Sequence, residues 1–189
     1  MQQEDRNEHF CCIKPTTAKT IPESGKMKYV FFDIESKINP ETREHLPFLI
    51  CAIDCCPRCI SNFDLTKPTE CCGERRYEFL GDDSSELFVD WLYFTRKCQK
   101  TIAIAHNGGK YDHVFIIREL IRRQLMPILL NRGMKILQAE AQRVVLKDSL
   151  NFVQAPLAAF PHMFGLDEED EKSFFPYFFL SDATIDYKG

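Results

Sequence analysis

An α/β fold built on a central mixed sheet is predicted from three features of the sequence. Continuous apolar runs rich in aromatic and β-branched residues, at 29–34 (YVFFDI), from Leu46 (LPFLICAID) and from Thr101 (TIAIA), have the length and composition of buried strands. Two stretches with helical periodicity, 84–97 and 112–123, fall between and after them. Strands, helix, strand, helix and strands again is an order that layers helices on a sheet.

The 189 residues suit about one domain, and 44% hydrophobic residues with 16 Phe are ample for a packed core. No run approaches the roughly 18 apolar residues that span a bilayer, so no membrane partner is expected. The opening MQQEDRNEHF carries both charge signs and does not read as a signal peptide. With nine cysteines and no secretory signal, a reducing, intracellular compartment is expected.

Residues 1–26 are polar, broken by Pro15, Pro22 and Gly25, and read as a flexible leader. The first strand, Tyr29 to Ile34, ends on two acids. The second starts at Leu46 and is expected to pair antiparallel with the first. The cysteine-rich segment 55–73 interrupts the pattern before a third strand, RYEFLG, from Arg76. Asp83-Ser84-Ser85-Glu86 has the form of a helix N-cap with an acid reaching back to the cap amide. Leu87, Trp91, Leu92 and Thr95 continue that helix to about Lys97. After the strand from Thr101 comes the turn HNGGKYDH, then a helix from Asp112 to Arg123 with Val114, Ile117 and Ile121 on its apolar face. Strands at Ile128–Asn131, Lys135–Ala139 and Arg143–Lys147 complete the sheet. A Pro- and Phe-rich stretch with the acidic run DEEDE closes the chain.

Asp33 and Glu35 stand two apart on a strand and so share a face. Two carboxylates there repel unless something positive lies between them, and a divalent metal is the natural occupant. A strand that simply ends at solvent explains the same pair. The second cluster, Ile104 to Asp112, lies where a strand hands over to a helix, the usual edge for ligand sites in open α/β sheets. Its glycines permit close approach, His106 and Asn107 supply neutral polar contacts, and Tyr111 offers a ring for a base to stack on. Asp112 read alone is a helix cap.

Taken together, D-x-E ending a strand and N-x-x-x-Y-D opening a helix resemble the first two motifs of DEDD-type 3′–5′ exonucleases. The finer resemblance is to the proofreading domain of protein-primed family B DNA polymerases, the group of phage, adenoviral, linear-plasmid and Maverick/Polinton mobile-element enzymes. IAHNGGKYDHVFIIREL, KDSLNFVQAPLAAFPHMFGL and KSFFPYFF carry it, from about Met27 to Tyr187. The resemblance implies an RNase H-like mixed sheet flanked by helices over 27–189, with a small cysteine-rich insertion. It also implies a two-metal Mg2+ or Mn2+ site on Asp33, Glu35 and Asp112. Ser36, His106, Asn107, Tyr111, Ser149 and Leu150 match positions that hold a single-stranded DNA 3′ end. Lys172 matches a lysine that assists catalysis, or is a surface lysine beside five acids. The partners implied are a single-stranded 3′ end, primer-template DNA and, in the polymerases, a terminal protein primer.

One departure bears on activity. The family's third motif, Y-x-x-x-D, is expected some tens of residues beyond KSFFPYFF, and only Phe178 with Asp182 approximates it. The polymerase motifs are not found either. The sequence therefore reads as the N-terminal, partial exonuclease region of such a polymerase, with weak hydrolysis expected. The competing readings are a non-catalytic nucleic-acid-binding remnant and a cellular exoribonuclease of the same superfamily.

The chain is acidic overall, with a net charge of −4. From Arg96 to Lys147, however, eleven Lys and Arg face three acids, a local +8 that suits a phosphate backbone. A solvated helix face is the plainer explanation of that excess. Cys56-Pro-Arg-Cys59 followed by Cys71-Cys72-Gly73 resembles a zinc ribbon. The second knuckle is irregular, because a regular C-x-x-C needs a cysteine where Thr69 stands. Structural Zn2+ is expected on Cys56, Cys59 and Cys72 with Cys71 or Cys55 as fourth ligand; free thiols are the alternative.

Overall fold

The computed structural model describes residues 27–62, 64–65, 67–95 and 100–166. The leader 1–26, Lys172 and the late aspartates lie outside the described residues. Among the described residues, seven strands form one sheet in the order β3-β2-β1-β4-β7-β6-β5. These are β1 (Met27–Ile38), β2 (His45–Cys55), β3 (Arg76–Leu80), β4 (Lys100–Ala105), β5 (Ile128–Arg132), β6 (Lys135–Ala141) and β7 (Val144–Asp148). β4 runs parallel to β1 and to β7, and every other pairing is antiparallel. This is the mixed, helix-flanked sheet that the RNase H-like resemblance implied, with the cysteine segment inserted between β2 and β3.

Alternation along β1 decides which layer covers which face. Val30, Phe32 and Ile34 are buried, while Phe31 and Asp33 are exposed. The buried set packs with Ile50, Ala103 and Leu146 against α1 (Ser84–Val89) and α2 (Asp112–Arg122). The opposite face is covered at one end by the cysteine segment, which packs on Tyr29.

Both helices depart from expectation. Asp83 makes no side-chain cap bond to α1. Glu86 turns instead toward Arg122 and Arg123, an ion pairing across the helix layer that outcompetes the local cap. α1 passes at Asp90 into a π-helical stretch, Asp90–Thr95. On α2 the buried residues are His113, Phe115, Ile116, Ile117 and Leu120, whereas Val114 and Ile121 are exposed. The 3.6-residue period was correct, but the stripe is rotated. Docking Asp112 against β1 fixes the helix phase and turns His113, Ile116 and Leu120 inward.

Candidate metal and nucleic-acid site

The parallel pairing of β1 with β4 stops at Phe31 and Ile104, so β1 runs past its neighbour by several residues. That overhang leaves the Ile34 amide without a strand partner on the β4 side. Asp112, the first residue of α2, fills the gap: the Ile34 N–H donates to Asp112 Oδ1 at 3.1 Å. The expected capping role is thus replaced by a bond that pins α2 to the strand between Asp33 and Glu35.

The electrostatics follow from that docking. Asp112 is 3% exposed. Burial, first, and then the negative charge of Asp33 push its carboxyl from an ordinary 3.8 up to about 7; backbone amides, Ile34's included, work the other way, and Asp148 adds repulsion. The negative charge of Asp33 therefore reaches Asp112, and carboxylate oxygens are the ligand type that divalent cations such as Mg2+ favour.

Around Asp33 and Asp112 the polar residues fall into two groups. Ser36 bonds the Tyr111 hydroxyl, and His45 Nδ1 lies 3.0 Å from Ser36 Oγ and 3.1 Å from the Tyr111 hydroxyl. The Tyr111 ring meets His45 and Phe115 edge-on. Burial raises the Tyr111 phenol's pKa, the Ser36 bond opposes this, and Asp112, Glu35 and Asp33 add to the rise. In the second group, His106 Nδ1 lies 2.9 Å from Ser149 Oγ, and the His106 ring meets Phe160 edge-on at 5.2 Å. His106, Ser149 and Asp33 line one cleft of about 480 Å³ on the open face of the sheet, walled by Phe31, Ile104, Leu157, Phe160, Leu65 and Arg76.

The turn between β4 and α2 brings these groups close. Asn107 is exposed and adopts φ 62°, a left-handed conformation that Asn tolerates better than most residues. Gly109 has no room for a side chain, since a Cβ there would stand 2.1 Å from the Ile136 carbonyl oxygen. Leu150 does not join the cleft. It faces a separate groove with Arg132 and Lys135.

Three neighbours were not singled out from the sequence. His45 reaches Ser36 through the β1–β2 hairpin, a register that no local motif announces. Asp148 is fully buried, accepts the Leu150 N–H at 2.9 Å and pairs with Lys135 at 3.1 Å. Its signal was the D-S-L sequence, an acid placed to cap the short helix at Ser149–Asn151. Phe160 carried no pattern of its own. The basic middle is also less free than its count suggests. Arg122 and Arg123 are tied to Glu119, Glu86 and Asp90, and Lys135 to Asp148.

The cysteines converge. The sulfurs of Cys56, Cys59, Cys71 and Cys72 all lie within 4.8 Å of one another, so the four can hold a metal ion; Cys55 is outside the group. The Cys56 thiol is brought down to about 6: burial opposes this, but the backbone of Arg58 and Cys59 and the side chains of Cys71 and Cys72 outweigh it. Burial pushes Cys55 up to about 11.

The arrangement defines a mixed α/β domain in which Asp33 and Glu35 lie inside β1, which runs on to Ile38 instead of ending on the two acids, and Asp112 bonds the Ile34 amide between them. Known proteins with which it compares are polymerases. A DNA polymerase of Kluyveromyces lactis is 27% identical over 166 residues, 84% of this chain and 16% of that protein. The family B DNA polymerase of Pyrobaculum calidifontis shares the fold at a TM-score of 0.50 and 14% identity, over 84% of this chain and 21% of that one. A phi29 DNA polymerase complexed with primer-template DNA and incoming nucleotides superposes at a TM-score of 0.49 and 15% identity, over 79% of this chain and 25% of that one. No family model matches the chain. The chain spans about a sixth of the length of the curated relative and is DNA polymerase-like by sequence and fold.

Proposed function

We propose that residues 27–189 are a 3′–5′ exonuclease region of a protein-primed family B DNA polymerase, acting on single-stranded 3′ ends. The observation that carries the reading is the seating of Asp112 on the Ile34 amide, between Asp33 and Glu35. The similarity to a DNA polymerase over most of the chain supports it. In this reading Asp33, Glu35 and Asp112 hold Mg2+ or Mn2+, which when bound activates water and stabilises the departing oxyanion. A cation bound there would take the place of the proton that the fold holds on Asp112. Tyr111, held by Ser36 and His45, stacks on the terminal base, and His106 and Ser149 line the path of the strand. Exposed Lys110, in the same turn, lies where it can meet a phosphate. Lys172 is assigned its catalytic role by resemblance alone.

A salt series with a labelled single-stranded oligonucleotide tests the binding half. Affinity should fall as salt rises, because neutralised phosphates release counterions. Tyr111→Ala should cost about 1–3 kcal/mol of binding, the value of stacking one base, while Tyr111→Phe keeps the ring and most of the affinity. Binding that ignores salt, or is equal in Tyr111→Ala and the wild type, would count against the reading. Binding without 3′-end degradation in magnesium or manganese favours the non-catalytic alternative.

A further inference from the structure

We propose that Cys56, Cys59, Cys71 and Cys72 hold one zinc ion as a tetrathiolate, and that this ion fixes the wall of the cleft beside Asp33. The sulfur spacings carry the first part. Cys56–Cys59 is 3.8 Å, Cys56–Cys71 3.5 Å and Cys59–Cys72 3.4 Å. A tetrahedron with Zn–S of about 2.3 Å has edges of about 3.8 Å. A disulfide holds its sulfurs at about 2.05 Å, so these are not cystines.

The backbone explains how adjacent cysteines both reach the centre. Thr69 and Gly73 exchange hydrogen bonds in both directions, at 2.9 and 2.7 Å, and Gly73 takes φ 66°. This closes a tight loop that presents Cys71 and Cys72 together. Thr69, where a regular knuckle has cysteine, sits with its hydroxyl 3.7 Å from Cys71 Sγ. Facing it, the Cys56 carbonyl accepts from the Cys59 and Ile60 amides, and the Cys56 N–H donates to Cys59 Sγ at 3.3 Å. Four thiolates around one Zn2+ leave a doubly negative centre. Lys28 on β1 supplies charge against it: its Nζ donates to Cys72 Sγ at 2.9 Å and lies 3.3 Å from Asp54.

The second part follows from what the knuckles carry between them. Between the knuckles, Leu65 lines the cleft wall. Beside it, the buried Arg75 guanidinium donates to the carbonyls of Cys59, Asn62 and Asp64. Arg75 anchors one end of the segment; the metal anchors both.

Metal analysis of the purified full chain should find one zinc per chain, and cobalt substitution should give the visible bands of a tetrahedral tetrathiolate. Cys55→Ser should leave both unchanged. The double variant Cys71→Ser, Cys72→Ser should lose them. Lys28→Gln, which leaves the ligands intact, should weaken zinc affinity by about tenfold or more in a chelator competition. Amide hydrogen exchange around Leu65 should rise when zinc is withdrawn, while β4 and β7 keep their protection. Absence of zinc, or a cobalt spectrum that survives loss of Cys71 and Cys72 but not of Cys55, would overturn the site. Unchanged exchange around Leu65 would overturn its role in the wall. None of these readouts depends on nucleic acid.

Discussion

Asp112→Asn is expected to make the magnesium-free protein more stable at neutral pH. The Asp112 carboxyl is held up near 7 in the fold against an ordinary 3.8. An acid with a raised folded pKa stabilises the fold only while protonated. Stability from this group is therefore complete below about pH 4 and falls as pH rises toward 7, because unfolding then releases a proton. The whole fall amounts to at most about 4 kcal/mol, from some three units at 1.36 kcal/mol each. Asn keeps the oxygen that accepts the Ile34 N–H and drops the charge that Asp33 repels. The variant should match the wild type near pH 4 and exceed it by about 2–4 kcal/mol above pH 7 in denaturant melts. Saturating Mg2+ should erase much of that advantage, since a cation relieves the same repulsion. A variant less stable than the wild type at pH 8 without magnesium would show that the carboxylate is satisfied in some other way.

Gly109→Ala is expected to be among the most damaging single-methyl additions in the described domain. The added carbon would fall 2.1 Å from the Ile136 carbonyl oxygen and 3.1 Å from Asp148 Oδ2. The first of these is backbone of a paired strand and cannot swing aside. Overpacking typically costs about 1–3 kcal/mol, and a contact this close to backbone belongs at the top of that range. Gly133→Ala is the matched control, with φ 60° and nothing within 4 Å of the added carbon. It pays only the left-handed strain, about 1–2 kcal/mol. Urea unfolding midpoints compare the two directly, and equal losses would mean that the turn carrying Asn107, Lys110 and Tyr111 can shift away from β6.

Much of the architecture was legible because it rests on local pattern. The strand through Phe31–Asp33 and the glycine turn are written in short spacings. What failed depended on partners far along the chain. Glu86 was free, as sequence, to cap its own helix, and only the folded layer offers it Arg122 and Arg123. Of the stripe Val114–Ile117–Ile121 only Ile117 is buried; His113, Ile116 and Leu120 repeat with the same period, and the Asp112–Ile34 bond selects the face they occupy. Cys71 and Cys55 were equal candidates for a fourth ligand, and only the fold, through the Thr69–Gly73 bridge, brings the Cys71 sulfur into the group and leaves Cys55 out. His45 had no signature, because its place beside Tyr111 comes from a hairpin register and a shift between Glu35 and Ser36.

The central claim is that the carboxylates of Asp33, Glu35 and Asp112 form one divalent-cation site. Titrating Mn2+ into the protein and following the free-ion signal by electron paramagnetic resonance addresses it without any assumption about substrate. The account predicts saturable removal of free Mn2+ by the wild type, with binding that strengthens as pH rises through 7 and Asp112 gives up its proton. The double variant Asp33→Asn, Asp112→Asn should lose that binding. Equal Mn2+ uptake by the wild type and the double variant, or no uptake by either, would contradict it.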